Sequence, residues 1–164
     1  MKGAEILING NQPNGRFLEG TVSGTPAPGT CMEVLPATEP VNGRFTYRAC
    51  TSGSNGDSRP TTVLLEDALQ GVTPDINGAN TYVNGARCFL YVPVPGDELN
   101  MLVENISGTG DSHAIGDLLM IDRATAGNHG KLLVQDSAGH SAPFTCMETS
   151  TGLTVDTLLA CRFG

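Results

Sequence analysis

The sequence predicts an all-β protein: a small β-barrel, β-tulip or sandwich of short antiparallel strands with an extended, turn-rich N-terminal arm. Glycine supplies 21 of the 164 residues, well above the usual share of ~7%, so the chain turns often. Its apolar runs are short and end at Gly, Pro, Asn or Asp, which is typical of strands. A chain of this length can fold as one compact domain without disulfide or metal support.

Residues 1–60 are predicted to form the arm, with short strands. This part is dense in Gly, Pro, Asn, Ser and Thr and sustains no 3.6-residue period. Its apolar residues form islands (EILI, RFLEG, MEVL and FTYRAC) that cannot bury themselves alone, and an extended arm can add a strand to a partner's sheet. The candidate contact residues are Ile6, Leu7, Ile8, Phe17 and Leu18.

Six Asn-Gly pairs predict frequent turns, because both residues of such a pair tolerate the positive φ that tight turns need. They begin at Asn9, Asn14, Asn42, Asn55, Asn77 and Asn84.

Residues 61–164 are predicted to form the barrel body. Seven segments of about four to eight residues have the composition of strands: TTVLLED, RCFLYVPV, LNMLVEN, DLLMID, KLLVQD, APFTCME and DTLLACRFG. Residues 115–139 predict a hairpin with a long loop. Pro93 and Pro95 must lie at a strand end or edge, because proline cannot donate to a ladder. The segment Leu64–Gly71 fits either two helical turns that end at Gly71 or a strand end followed by a turn.

The charge balance disfavours several partners. Nine Lys and Arg stand against seventeen Asp and Glu, for a net charge of −8, so the long-range field repels nucleic acids and anionic membranes. No stretch approaches the ~18 apolar residues of a membrane span, and the first residues lack the apolar region of a signal peptide. We expect no nucleic acid or membrane partner, and synthesis in a cytoplasm-like compartment.

The five cysteines are spread singly along the chain, without a Cys-x-x-Cys pair. This spacing disfavours a zinc site. They are Cys31, Cys50, Cys88, Cys146 and Cys161. Three of them, Cys88, Cys146 and Cys161, lie in apolar runs, where we expect small buried apolar side chains in a reducing compartment.

Signals for catalysis are few, and we expect no enzyme activity and no cofactor. Ser112 and His113 are adjacent, so on a strand their side chains point to opposite faces and do not pair. The chain has only two lysines, Lys2 and Lys131, and its Gly- and Pro-rich segments do not lie between a strand and a helix, as a phosphate loop requires.

Six acidic and imidazole side chains are candidate metal ligands, but they follow neither a calcium-loop nor a helical zinc pattern. We therefore expect no metal site, and these residues to lie in exposed turns. They are Asp111, His113, Asp117, Asp122, His129 and His140.

The order of several segments resembles the decoration, or cement, proteins of tailed bacteriophage capsids. The segments are GTPAPGTCMEV, VLLEDALQG, YVNGARCFLYVPVPGDELNMLVENISG, IGDLLMIDRATAGNHGKLLV, a Pro-Phe strand and LLACRF, and the likeness covers roughly residues 20–164. The resemblance implies a trimeric β-barrel or β-tulip body that binds the major capsid protein on the outer surface of the assembled shell. It also implies that the protein bridges neighbouring capsomers and stabilises the shell through the contact area that it adds. Its expected location is the virion, after synthesis in the host cytoplasm.

Two other functions compete with this one. A tail-fibre or glycan-binding β module of a virion would recognise sugars through loop side chains, although the chain has no Trp and only three Tyr, Tyr47, Tyr82 and Tyr91. A hydrolase would use Ser112 as its nucleophile and His113 as its base.

Overall fold

A computed structural model of the chain describes residue 6 and residues 15–35, 43–51, 62–73, 79–105, 111–135 and 138–164. Within these residues the protein is all-β, as predicted. Twelve strands form two closed five-stranded barrels and one separate two-stranded sheet.

The first barrel has the strand order β1-β3-β2-β4-β5 and closes where β1 pairs with β5. β1 and β3 are parallel, and the other neighbours are antiparallel. Its strands are β1 (Arg16–Ser23), β2 (Cys31–Val34), β3 (Thr46–Ala49), β4 (Thr62–Leu64) and β5 (Arg87–Val92).

The second barrel has the order β10-β12-β6-β9-β8 and closes where β8 pairs with β10. Its strands are β6 (Glu98–Val103), β8 (Leu118–Ile121), β9 (Leu132–Val134), β10 (Phe144–Cys146) and β12 (Thr157–Phe163). The separate sheet pairs β7 (Asp111–His113) with β11 (Ser150–Leu153).

All seven strands predicted after residue 60 are confirmed as β4, β5, β6, β8, β9, β10 and β12. The predicted hairpin is also confirmed, since β8 and β9 pair antiparallel across the loop 122–131. The sequence analysis missed β7 and β11, whose sequences DSH and STGL contain no apolar run. These two strands depend on pairing with each other, which local composition does not reveal.

The segment Leu64–Gly71 is the end of a strand followed by a turn, with one short 3-10 helix at Ala68–Gln70. The Asp67 side chain caps this helix by accepting from the Leu69 N–H at 3.1 Å. Gly71 ends it with a φ of +74°.

The described part of the predicted arm is built into the first barrel. Residues 16–49 supply β1, β2 and β3, so the boundary predicted at residue 60 falls inside this barrel, between β3 and β4. The physical reason is that alternate residues of these strands, such as Val22, Met32 and Tyr47, pack against Leu90 of β5. The apolar islands therefore find their partners within the chain. Residues 1–5, 7–14, 36–42 and 52–60 of the arm lie outside the described residues.

The two barrels share one hydrophobic core. Cys31, Val63 and Tyr91 are register partners along β2, β4 and β5, and they face outward from the first barrel. Their side chains belong to the same buried cluster as Leu99 and Met101 of the second barrel. The interior of the first barrel is a separate cluster. All five cysteines are buried and form no disulfide; burial was predicted for Cys88, Cys146 and Cys161.

Two glycines let the barrels approach each other closely. The Leu102 N–H of β6 donates to the Gly29 carbonyl at 3.1 Å, and the Cys31 N–H of β2 donates to the Gly130 carbonyl at 2.8 Å. Both glycines have positive φ, +85° and +79°. A Cβ at Gly130 would lie 2.4 Å from the Cys31 carbonyl oxygen. The contact between the barrels therefore requires glycine in both conformation and size.

We predict that Gly130→Ala lowers the free energy of unfolding by about 2 kcal/mol or more, because it adds a clash to the cost of positive φ. Urea unfolding of the purified protein measures this change. Gly127→Ala is the matched control: Gly127 lies in the same loop with a φ of +90° but has nothing within 4 Å of its would-be Cβ. Equal losses in the two variants would contradict the role of the contact.

Candidate functional site

The first barrel has an exposed apolar end. β1 and β3 begin there and β2 ends there. Leu18 and Val34 lie in phase with the buried residues of their strands, and Phe45 lies two residues before buried Tyr47. Val34 is 46% exposed and Phe45 is 49% exposed. Leu18, Val34 and Phe45 are called the apolar mouth below.

The predicted contact residues lie in different environments in the structure. Phe17 is 56% exposed, on the outer face of β1, and its ring lies 5.3 Å from that of Tyr91. Leu18 belongs to the mouth and packs partly against the interior of the first barrel. Ile6 is fully buried in the core shared by the two barrels, so its side chain is not presented to a partner. Leu7 and Ile8 lie outside the described residues.

Val34 and Phe45 were missed as surface residues by the sequence analysis. Both lie in apolar islands and in phase with buried neighbours, so the pattern places them in a core. They are exposed because their strands end at this rim of the barrel. The signal that could have found them is their position, immediately before and after turn-rich segments.

Basic side chains border the mouth. Arg44, next to Phe45, pairs with Glu19 at 2.6 Å. Arg87 lies 4.0 Å from the same carboxylate, but it approaches from the opposite end of the barrel, where β5 begins. The Arg87 guanidinium also lies over the Phe89 ring, 5.0 Å from its centroid. Arg16, at the start of β1, is exposed. This rim joins apolar and cationic surface, a combination suited to a partner that is partly apolar and partly acidic.

Four charged residues close one end of the second barrel. Glu104 follows β6, Asp122 follows β8, Lys131 precedes β9 and Asp156 precedes β12. They lie at the same end because Val103 pairs with both Leu132 and Thr157. Lys131 Nζ donates to Asp156 at 2.5 Å and to the Asn128 side-chain oxygen at 3.0 Å. These four residues are called the charged ring.

Burial holds a proton on one carboxyl of the charged ring. Desolvation, reinforced by a hydrogen bond to Asp122 and by the charge of Asp122, raises the pKa of Glu104 to about 8. Burial opposes ionisation of Asp122 as well, but hydrogen bonds from Thr125, Ala124 and Glu104 outweigh it and lower the pKa of Asp122. Below about pH 8, neutral Glu104 therefore donates to an ionised Asp122.

An ion pair joins the two barrels beside this ring. Arg123, whose side chain is fully buried, donates to Glu33 of β2 at 3.2 Å. Glu33 also accepts from Arg48 at 3.0 Å and from the Thr51 N–H at 3.2 Å. Several donors thus converge on one carboxylate, and removal of Glu33 would take this carboxylate away from the buried guanidinium of Arg123.

A cleft of about 300 Å³ opens between the barrels, next to the charged ring. The first barrel contributes the ends of β1 and β3 and the segment before β2, so the cleft lies at the opposite end of that barrel from the mouth. Its polar lining includes Thr25, Thr30, Thr81, His129, Lys131 and Asp156.

Ser112 and His113 do not form a pair in the structure. Ser112 is exposed and His113 is 4% exposed, so the two side chains point to opposite sides of β7, as expected for neighbours on a strand.

The candidate metal ligands are also dispersed. Asp117 caps a turn by accepting from the Ala114 N–H at 2.8 Å, Asp122 belongs to the charged ring, and His129 lines the cleft. In the part of the chain that the structure describes, no group of three or more His, Cys, Asp or Glu side chains is arranged to hold a metal ion.

Comparison with known proteins identifies no relative. No protein-family model matches the chain, and no curated protein matches its sequence. Among the described residues, no helix is long and apolar enough to cross a bilayer. A function must therefore be argued from the mouth, the charged ring and the cleft.

The charged ring predicts a pH dependence of stability. Glu104 has a pKa of about 8 in the folded protein and an ordinary value of 4.5, so the folded state keeps a proton that the unfolded chain has released. The contribution of Glu104 to the free energy of unfolding falls as pH rises, by about 3 kcal/mol between about pH 5.5 and 8.5. Glu104→Gln, which still donates to Asp122, removes this fall in urea titrations across that range.

Glu98→Gln is the control, because Glu98 lies at the other end of β6 and pairs with Arg162 at 2.7 Å on the surface. This variant keeps the fall in stability of the unaltered protein. Parallel curves for Glu104→Gln and the unaltered chain would show that Glu104 does not hold a proton in the folded state.

Proposed function

We propose that this chain is a virion structural protein that decorates a tailed-phage capsid. It binds the outer surface of the assembled shell, contacts the major capsid protein and bridges neighbouring capsomers. It acts as a homotrimer, without catalysis, cofactor or metal. The observation that carries this proposal is the apolar mouth, an exposed apolar rim at one end of a body stiffened by a shared core.

The distribution of charge supports docking through the first barrel. Residues 1–92 contain six basic and eight acidic residues, a net charge of −2, whereas residues 93–164 contain three basic and nine acidic residues, a net charge of −6. Most of the net negative charge therefore lies in the part of the chain that forms the second barrel. A partner surface with acidic groups is repelled less by the first barrel.

The arrangement of the mouth also supports a mechanical role. Its side chains come from β1, β2 and β3, whose pairing fixes their relative positions before any partner binds. Preorganised contact residues lose little conformational entropy on association. Stable attachment needs roughly 800 Å² per partner, and three copies in a trimer add their contacts through avidity.

We predict that Phe45→Glu weakens binding to purified empty shells of the encoding phage by at least about tenfold, because it places a charge at the centre of the apolar contact. Co-sedimentation with the shells measures the change. Val83→Glu is the control: Val83 is 73% exposed and lies outside the mouth. The two variants have the same charge, so equal binding by both would remove the mouth from the proposal.

Substitution is a cleaner test than truncation of the arm. Removal of residues 1–20 would delete more than half of β1 and the Ile6 side chain from the core, so loss of binding would also report unfolding. Phe17→Ser adds a second measurement, because Phe17 is exposed beside the mouth. We expect a smaller loss of binding for Phe17→Ser than for Phe45→Glu.

We predict a trimer in solution, and light scattering of the purified chain at micromolar concentration measures its mass. Such a mass would be three times the 17.1 kDa of one chain. A monomer, both when free and after release from shells, would contradict the trimer while leaving capsid binding open to the preceding test.

A further inference from the structure

We propose that the cleft between the barrels binds a neutral sugar, one pyranose unit of a glycan. This site is distinct from the apolar mouth. A sugar bound there would be a second ligand, in addition to the capsid, at the end of the first barrel opposite the mouth.

Hydrogen-bonding groups without internal partners line the cleft. The hydroxyls of Ser23, Thr25, Thr30 and Thr81 border it, and none of them forms a side-chain hydrogen bond within the described ranges. A hydroxyl donates one hydrogen bond and accepts others, so these groups match either role of a sugar hydroxyl. The cleft therefore offers adaptable polar contacts that the protein itself leaves unused.

His129 adds a further polar group. Its imidazole is half-buried in the wall of the cleft and has no hydrogen-bond partner among the residues that the structure describes. The neutral ring has one donor and one acceptor nitrogen. It can therefore contact two adjacent hydroxyls of a pyranose.

The charges around the cleft favour a neutral ligand. Lys131 uses two of its three N–H groups on Asn128 and Asp156, and Asp156 also accepts from the Asn105 N–H at 3.1 Å. Lys131 is thus neutralised by Asp156, while Asp122 behind it remains ionised. Among the described residues, the lining contains no arginine and no other lysine, so no unpaired Lys or Arg side chain is available there to bind an anion. The remaining Lys131 N–H is free to donate to an uncharged hydroxyl.

Part of the wall of the cleft is apolar. Pro26, Ala27, Ala49 and Leu102 contribute to it. A pyranose ring presents hydroxyls at its edge and C–H groups on its faces, and small-ligand sites combine apolar walls with a few polar groups in this way. The wall supplies the apolar contact that sugar sites often take from an aromatic side chain. At about 300 Å³ the cleft suits one small unit, at the lower end of the usual range.

The cleft and the mouth lie at opposite ends of β1. Leu18 at the mouth and Ser23 at the cleft are five residues apart, about 17 Å along an extended strand. A copy that docks through its mouth would therefore leave the cleft exposed to solvent. A hexose-sized ligand binds with a Kd on the order of millimolar, and many copies on one shell would raise the avidity. This use of avidity rests on the proposed function, whereas binding by the free chain does not.

The test titrates the isotope-labelled free chain with glucose, galactose and mannose and follows amide shifts by NMR. We expect at least one hexose to saturate at millimolar concentration, with shifts confined to residues 23–30, 81 and 127–131. Thr81→Phe fills the cleft from an exposed position and abolishes the shifts. Val83→Phe, an equally exposed substitution two residues away and outside the cleft, leaves them unchanged. His129→Ala weakens binding by about fivefold or more through the lost hydrogen bonds.

Three results would overturn the proposal. The first is the absence of any shift with the three hexoses up to about 100 mM, well above the expected Kd. The second is that the shifts persist in Thr81→Phe. The third is tighter binding of galacturonate than of galactose. The experiment uses no capsids, so its failure leaves the decoration proposal standing. Failure of the shell-binding test likewise leaves the sugar site standing.

Discussion

The close backbone approach of the two barrels is the constraint on which the rest of the structure depends. Gly29 and Gly130 each occupy a position of positive φ where a side chain would collide with the other barrel. Their carbonyls accept hydrogen bonds from Leu102 and Cys31, so the barrels are joined by main-chain groups as well as by apolar packing. The shared core exists because this approach brings the outer face of the first barrel against the second barrel.

Burial of charge follows from the same approach. Glu33 and Arg123 lie where the barrels meet and would be ordinary surface residues on separate domains. The charged ring is similar: Glu104 retains its proton because desolvation opposes a second negative charge beside Asp122. Loss of any one group from this hydrogen-bonded set lowers the free energy of unfolding. It also specifies how the two barrels are oriented.

A body joined in this way has two ends with different surfaces. The mouth of the first barrel is apolar with basic side chains at its rim, whereas the cleft beside the second barrel is polar and its lysine is paired with an aspartate. These surfaces differ in the chemistry that they can bind, and β1 holds them at a fixed separation. One end can serve attachment while the other stays available to solvent, which is the arrangement that the two proposals share.

The sequence by itself determined the all-β class, the seven strands after residue 60, the β8–β9 hairpin and the burial of Cys88, Cys146 and Cys161. Each depends on composition and short-range spacing, which local physics sets. The tertiary structure alone decided that β1, β2 and β3 belong to a closed barrel, that Ile6 is buried, that Phe45 and Val34 are exposed and that four ionisable residues meet at one end. These features depend on strand pairing between residues far apart in the chain, and an apolar strand has the same pattern whether it faces a core or a partner.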